Sequence, residues 1–245
     1  MKLVQTVVLA VAGLFIAVGL LLFLYEQPQE AFISITFDDG YSSQYIAAEK
    51  LEEYGYKGTF YIQTDSVGKE FENISIMTWD QIKDLRAKGN EIGGHGAGHL
   101  KAGDVSSDIY EKDILKSMEI FENNNITVKN FAYPYGDDSK KNITLKYFET
   151  ARGIKPCING FDDKEICGLT LVSKNEEYKV LTDYLTGLKV KGGWLILVIH
   201  GVDENQRPDV DLKEEEFDWV LQQIKDSKIQ VKTIAEIYTK SESPA

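Results

Sequence analysis

The apolar and polar positions of the chain follow two alternating patterns. Short runs rich in β-branched and aromatic residues predict buried strands, and longer stretches whose apolar residues recur every three or four positions predict amphipathic helices. The predicted strands span residues 32–37, 58–63, 91–94, 130–133, 169–173, 194–199 and 230–233. The predicted helices span residues 43–54, 78–89, 109–122, 176–188 and 213–226. This alternation indicates an α/β fold with a parallel sheet or a barrel.

Local signals support two of the helix boundaries. The segment from Thr78 to Gln81 has the residues of a capping box, which opens a helix. Gly55 follows the first predicted helix as a C-terminal cap. In α/β folds the loops at the carboxyl ends of strands carry the chemistry, so we expect a functional site among the residues that follow the predicted strands.

The first segment of the chain is distinct from the rest. Residues 7–24 contain no charge, and they are long enough to cross a bilayer. We therefore interpret residues 1–25 as a signal anchor, with a cleaved signal peptide as the alternative, residues 26–30 as a linker and residues 31–245 as the catalytic domain. Lys2 before the segment and Glu26 after it predict that this domain lies outside the cytoplasm, anchored to the membrane or secreted.

Charge restricts the partners of the protein. The net charge of −12 argues against nucleic acid and against an anionic membrane surface. Neutral or cationic substrates are favoured. Export agrees with three N-x-S/T sequons, which begin at Asn73, Asn125 and Asn142. Cys157 and Cys167 either close a small disulfide loop in an oxidising compartment or remain unpaired thiols.

All three histidines of the chain occur where a hydrolytic metal site would need them. His95 and His99 form a closely spaced pair, and His200 ends a predicted strand. Asp38 and Asp39 end the first predicted strand. Two imidazoles and one carboxylate can hold a metal ion with positions left open. The remaining carboxylate and imidazole could then act as base and acid.

The backbone around these residues shapes the expected site. Neighbouring residues of an extended chain point in opposite directions, so we expect one aspartate to face the metal and the other the substrate. Several glycines around His95 and His99 predict a loop there and not a helix. Pro134 and Gly136 enclose Tyr135 in a rigid turn, and such a turn can aim a backbone N–H at a developing oxyanion.

Together, Thr-Phe-Asp-Asp-Gly40, the His95/His99 pair, Phe-Ala-Tyr-Pro-Tyr-Gly136 and the segment that ends at His200 resemble NodB-type polysaccharide deacetylases, carbohydrate esterase family 4. The resemblance covers about residues 32–237 and extends to the subgroup that includes poly-N-acetylglucosamine deacetylases. It implies a distorted (β/α) barrel of about seven strands.

The same resemblance implies a role for each site residue. Asp38 would be the catalytic base and His200 the general acid. The metal ligands would be Asp39, His95 and His99. The N–H of Tyr135, next to Pro134, would stabilise the oxyanion. The expected cofactor is a divalent metal, Zn²⁺ in the first place, with Co²⁺, Ni²⁺ or Fe²⁺ as alternatives.

Some supporting residues of the family are replaced. Gly96 stands where a Ser or Thr braces the metal loop, and Ala132 stands where an arginine holds the catalytic aspartate. We predict that Arg152 supplies this positive charge from another segment. Gly201 follows His200, where an aspartate is frequent. Changes of this kind usually cost one to two orders of magnitude in metal affinity or activity.

The expected function is metal-dependent hydrolysis of N-acetyl groups on an extracellular amino-sugar polysaccharide or oligosaccharide. The expected partners are this acetylated glycan and, through the first segment, the membrane. Three alternatives remain: hydrolysis of O-acetyl esters or another amide at the same site, an iron(II) oxygenase, and an anchored glycan-binding protein that has lost catalysis.

Overall fold

The computed structural model describes residues 29–202, 207 and 209–241, and the chain from Ala31 onward forms one compact unit. The predicted signal anchor or signal peptide at residues 1–25 lies outside the described residues. No helix within these ranges is long and apolar enough to cross a membrane.

Nine parallel strands form the central sheet. They are β1 (Ala31–Phe37), β2 (Thr59–Ile62), β5 (Glu91–Gly94), β6 (Asn130–Ala132), β7 (Thr150–Arg152), β8 (Glu165–Ile166), β9 (Leu169–Thr170), β10 (Gly193–Ile199) and β11 (Gln230–Val231). Their spatial order is β8-β7-β6-β5-β2-β1-β10-β9, and β11 pairs with β1. An antiparallel hairpin, β3 (Glu70–Phe71) and β4 (Ile74–Ser75), lies apart from this sheet.

The α/β class and the parallel sheet are confirmed, whereas the predicted barrel of about seven strands needs correction. Among the described residues no pairing joins β8 to β9, so the sheet is open. Two strands pair with different halves of β1. The strand β11 pairs with Phe32 and Ile33, and β2 pairs with Thr36 and Phe37. The strands β7 and β8 and the hairpin, whose strands have two or three residues each, were not predicted.

Seven helices surround this sheet in the described part of the chain: α1 (Ser43–Glu53), α2 (Trp79–Ala87), α3 (Ser107–Asn123), α4 (Lys141–Thr144), α5 (Leu181–Lys191), α6 (Glu214–Ser227) and α7 (Ile234–Ser241). The predicted capping box at Thr78 is present. The helix predicted from residue 176 begins only at Leu181, because Asn175 and Glu176 have left-handed backbones with φ of 52° and 58°. The helices α4 and α7 were not predicted.

The two longest strands, β1 and β10, form the centre of the core. They pair in register over their whole length, from Ala31 opposite Gly193 to Phe37 opposite Ile199. Both are buried on both faces, as expected for central strands of a parallel sheet. The residues that follow the last pair are Asp38 and His200, so this register brings them to the same edge of the sheet.

Candidate active site

The residues that follow four strands converge on one cavity of about 300 Å³. Asp38 and Asp39 follow β1, His95 follows β5, and His200 follows β10. Tyr135 lies in the turn after β6. All five side chains line the cavity together with His99. The candidate residues therefore gather at the carboxyl ends of the strands, as expected from the sequence.

The backbone turns sharply at the two aspartates. The N–H of Asp38 donates to the carbonyl of Ile199 at 3.0 Å, which continues the β1–β10 pairing. Asp39 and Gly40 then adopt left-handed conformations with φ of 73° and 82°. The predicted alternation of an extended strand is therefore wrong at this point. Asp39 is turned by its left-handed backbone, which aspartate tolerates better than most residues, and both carboxylates line the same cavity.

Asp39, His95 and His99 form a compact group of three ligand atoms. Asp39 Oδ1 lies 3.2 Å from His95 Nε2 and 3.1 Å from His99 Nε2. The two Nε2 atoms are 3.2 Å apart. Two donors at about 2.05 Å from a tetrahedral Zn²⁺ lie about 3.3 Å apart, so the three atoms have the spacing of ligands to one ion.

The electrostatics of the group also fit a cation. His95 Nδ1 lies 2.8 Å from the carbonyl of Ala132, so Nδ1 carries the proton and the Nε2 lone pair faces the cluster. Burial opposes charge on Asp39, yet its bonds to His95 and His99 outweigh burial and hold its pKa well below the usual value. Burial also opposes protonation of His95, but Asp39 and Asp38 raise its pKa overall. The negative charge of Asp39 and the Nε2 lone pair of His95 therefore face the same point, where a cation would be stabilised.

Asp113 of α3 braces the loop between the two histidines. Its carboxylate accepts hydrogen bonds from the N–H groups of Ala97 at 2.9 Å and Gly98 at 2.8 Å. Gly96 has φ of 76°, and a Cβ atom there would lie 2.6 Å from Asp113 Oδ2. The loop is non-helical, as predicted. Sequence reasoning missed Asp113, whose carboxylate lies where a side chain at position 96 would clash with it.

Arg152 lies directly behind Asp38. Its Nη2 contacts Asp38 Oδ1, and the guanidinium lies 5.1 Å from the centre of the Tyr61 ring. The side chain of Arg152 is completely buried. In the β6–β7 pairing Arg152 is the register partner of Ala132, the position where the family resemblance led us to expect an arginine. The structure therefore places a positive charge beside Asp38 from the neighbouring strand.

Aromatic rings surround the ligand group at the mouth of the cavity. Pro134 is buried, and Tyr135 has φ of 59° and is 55% exposed. The ring centre of Tyr135 lies 4.6 Å from that of His99, and the ring centre of Phe71 lies 5.2 Å from it. Phe71 comes from the β3–β4 hairpin, which the sequence pattern did not reveal.

Gln44 of α1 holds the two central strand ends together. This buried amide donates to the carbonyl of His200 at 2.7 Å and to the carbonyl of Asp38. The Nδ1 atom of His200 is buried and has no partner among the described residues. Gln44 was not predicted, because its role depends on the packing of α1 against both strands.

The two cysteines lie outside the cavity lining. Cys157 and Cys167 form a disulfide, and their Cα atoms are 5.8 Å apart. Asn159 inside the closed loop accepts from the N–H of Cys167 at 2.8 Å. The backbone of Asn159 also pairs with that of Trp194 at the start of β10, the end opposite His200.

The parallel sheet carries at one rim three residues that could hold a metal ion, together with a separate carboxylate and an imidazole. This arrangement is typical of metal-dependent hydrolases. The sequence profile of the polysaccharide deacetylase family matches residues 25–149, about half of the chain. The chain therefore belongs to the polysaccharide deacetylase family. The matched segment contains Asp38, Asp39, His95, His99 and Tyr135 and ends before Arg152 and His200.

Known relatives agree with this family. A peptidoglycan-N-acetylglucosamine deacetylase from Bacillus cereus is 32% identical over 101 residues, which are 40% of this chain and 44% of that protein. The chain thus spans less than half the length of the curated relatives it matches.

Two solved structures share the fold at low sequence identity. A family 4 acetyl xylan esterase from Clostridium thermocellum, in complex with a cobalt ion, has a TM-score of 0.56 at 21% identity, covering 87% of this chain and 93% of that one. A family 4 pseudoenzyme from Bacillus anthracis has a TM-score of 0.58 at 19% identity, covering 86% and 66%.

Proposed function

We propose that the protein is a metal-dependent deacetylase that removes N-acetyl groups from an amino-sugar polysaccharide or oligosaccharide outside the cytoplasm. One observation carries this proposal. Three ligand atoms within 3.1–3.2 Å of one another share a cavity with Asp38 and His200, a separate carboxylate and imidazole. A site for binding alone would not need both a metal triad and a pair of proton-transfer groups.

Asp39, His95 and His99 would hold the divalent ion, with Zn²⁺ proposed first because two imidazoles and a carboxylate are typical of catalytic zinc. A bound ion supplies Lewis acidity, which polarises the acetyl carbonyl and makes water a stronger nucleophile. Asp38 accepts one proton from the attacking water as its oxygen adds to the acetyl carbon. The buried Arg152 contacts the Asp38 carboxylate and orients it for this transfer.

The remaining steps use the opposite side of the cavity. The backbone N–H of Tyr135 stabilises the negative charge that develops on the acetyl oxygen. His200 donates a proton to the sugar nitrogen as the C–N bond breaks. The immediate products are acetic acid and an amine. Asp38 and the acetic acid each release a proton to solvent, and His200 takes one proton back from solvent, so the net products are acetate, the amine and one proton. The proposed roles of Asp38 and His200 fit their position at the ends of paired strands.

Several observations support an amino-sugar substrate outside the cytoplasm. The aromatic rings of Phe71 and Tyr135 at the cavity mouth suit sugar rings. The Bacillus cereus relative is named for N-acetylglucosamine in peptidoglycan. The net charge of −12 favours a neutral substrate and a cationic product. A disulfide is typical of oxidising compartments. Attachment to the membrane through residues 1–25 is part of the proposal.

The decisive experiment measures acetate release by the full-length protein in detergent. N-acetylglucosamine oligomers and acetylated xylan serve as parallel substrates, after chelation and after addition of Zn²⁺, Co²⁺, Ni²⁺ or Fe²⁺. We expect release from the amino-sugar oligomers, its loss on chelation and its return with a divalent ion. Faster release from acetylated xylan would instead identify the protein as an O-acetyl esterase. The Clostridium thermocellum fold neighbour is named as an esterase that acts on acetyl xylan.

Two variants test the proposed base. Asp38→Asn should lower acetate release by about 10²–10⁴-fold, because the proton acceptor is removed. Asp108→Asn, an exposed aspartate of α3, should leave it unchanged. Full activity in Asp38→Asn would contradict the role of Asp38. Oligosaccharide binding without turnover under every metal would favour a protein that has lost catalysis, as the Bacillus anthracis fold neighbour is described.

A further inference from the structure

A tyrosine lies behind the ligand Asp39. Tyr41 is 1% exposed and lines the same cavity as Asp39, and burial together with the nearby Asp39 carboxylate raises the pKa of its hydroxyl. A hydroxyl that donates to a ligating carboxylate fixes the orientation of that carboxylate and tunes its affinity for the ion. The hydroxyl of Tyr41 can donate to Asp39 and still accept one further hydrogen bond.

Arg207 supplies that further bond and reaches in a second direction. Its Nη1 donates to the hydroxyl of Tyr41 at 2.9 Å, and its guanidinium lies 4.5 Å from the centre of the Tyr41 ring. Its Nε and Nη2 each donate to Asp211, both at 3.0 Å. Arg207 and Asp211 therefore form a bidentate arginine–carboxylate pair, a geometry that lysine cannot form.

Asp211 connects this pair to the strand end that carries His200. Asp211 is 5% exposed, and its Oδ1 accepts a hydrogen bond from the N–H of Gly201 at 2.9 Å. A Cβ atom on Gly201 would lie 2.7 Å from Asp211 Oδ1, so only glycine leaves room for the carboxylate. The residue next to His200 is therefore held by a group that Arg207 orients.

We propose that Arg207 is a positioning residue that joins the two halves of the site. Through Tyr41 it orients the ligand Asp39, and through Asp211 it fixes the backbone beside His200. This inference rests on the proposed function, in which Asp39 is a metal ligand and His200 is the general acid. No motif marks Arg207, because its partner Tyr41 lies 166 positions away in the sequence.

The bridge predicts linked losses on both sides of the site. Arg207→Lys keeps the charge but cannot hold Tyr41 and Asp211 together, so Co²⁺ affinity and kcat should each fall by about 10–100-fold while KM stays unchanged. Tyr41→Phe removes only the hydroxyl that reaches Asp39 and should lower Co²⁺ affinity in the same range. In the double variant the two losses should not add, because both act through one contact.

Co²⁺ binding is measured on the full-length protein by the visible absorption of the ion and by competition with a chelator, which needs no turnover. Acetate release and the thermal unfolding midpoint are measured on the same samples. Arg86→Lys is the matched control. This exposed arginine of α2 donates to the carbonyl of Asn125 and does not line the cavity. We expect it to leave Co²⁺ affinity, kcat and the unfolding midpoint unchanged.

The outcomes separate the bridge from the proposed function. Wild-type Co²⁺ affinity and spectrum in both Arg207→Lys and Tyr41→Phe would overturn the inference. A loss that follows only a fall of the unfolding midpoint would also overturn it, because that is a purely structural effect. Tyr41→Phe decides the question if Arg207→Lys does not fold. Wild-type protein that binds Co²⁺ and releases no acetate would refute the proposed function alone.

Discussion

At the scale of single residues, Asp113 holds the loop that carries the two proposed metal ligands His95 and His99. Its carboxylate holds the N–H groups of Ala97 and Gly98 in the loop between the two histidines. Asp113→Ala leaves both groups without this partner and frees the loop. We expect Zn²⁺ affinity, measured by competition with a chelator, to fall by about 10–100-fold, as is common when a supporting residue is lost.

Glu119→Ala is the control for this experiment. Glu119 is an exposed carboxylate on the same helix, away from the histidine loop. The variant should bind Zn²⁺ as the wild type does. Equal affinities in Asp113→Ala and the wild type would show that the loop keeps its shape without the carboxylate.

Some of these residues could be predicted from the sequence and others could not. The ligands and Asp38 stand in recognisable motifs, and Arg152 was expected to replace a missing arginine. The reason for that replacement is visible only in the sheet, where Arg152 and Ala132 are register partners. Asp113 and Gln44 carry no local signal, because their contacts depend on how two helices pack against the strand ends.

At the scale of elements, the β3–β4 hairpin forms one wall of the cavity. Phe71 places its ring 5.2 Å from that of His99 and lines the same cavity as Asp38, the proposed base. Phe71→Ala should raise KM for N-acetylglucosamine oligomers by about tenfold with little change in kcat, because the lost sugar contact is the same in ground and transition states. Steady-state acetate release measures both constants.

A second phenylalanine serves as the comparison. Phe161 packs against Phe32 at 5.5 Å and does not line the cavity. Phe161→Ala should leave KM unchanged. A fall in kcat with constant KM in Phe71→Ala would instead place the ring in the transition state.

The disulfide loop makes a different kind of contribution. Replacing both Cys157 and Cys167 by alanine removes a crosslink between two residues that are ten positions apart. The free energy of unfolding should fall by about 3 kcal/mol, because a short crosslink restricts the unfolded chain. Denaturant unfolding measures this change. Acetate release at 25 °C should stay at the wild-type level, since neither cysteine lines the cavity. Loss of activity in a folded double variant would contradict this separation.

Element length decided which strands and helices the sequence could reveal. The pattern predicted β1 and β10, which have seven residues each, almost to the residue. It missed β8, which has two residues, although it predicted the equally short β9 and β11, because those two lie within longer predicted strands. The open sheet was missed for a related reason, since the number of strands does not show whether the last two of them pair.

At the scale of the whole molecule, the metal should act as a crosslink. The ligands come from two distant loops, so a bound ion stabilises the folded chain and not the unfolded one. With Zn²⁺ at about 100 times its dissociation constant the gain is about 2.7 kcal/mol. For a chain of this size each kcal/mol raises the unfolding midpoint by about 2–4 °C, so we expect a rise of about 5–10 °C.

Differential scanning calorimetry with and without Zn²⁺ tests this expectation. His99→Ala removes one of the three ligands and should abolish most of the rise. Calcium, which prefers oxygen ligands, should have little effect on the wild type. An equal rise in His99→Ala would locate the stabilising ion elsewhere on the molecule.

The pairing of β1 with β10 also has a consequence for the order in which the molecule matures. Thr36 and Leu197 are bonded neighbours although 161 positions separate them. Contacts between such distant segments form slowly, because a long loop must close first. The three proposed ligands all precede residue 100, whereas the proposed proton donor follows β10 at residue 200. The proposed roles therefore predict that a newly made chain can bind its metal ion early and becomes hydrolytic only when β10 is inserted.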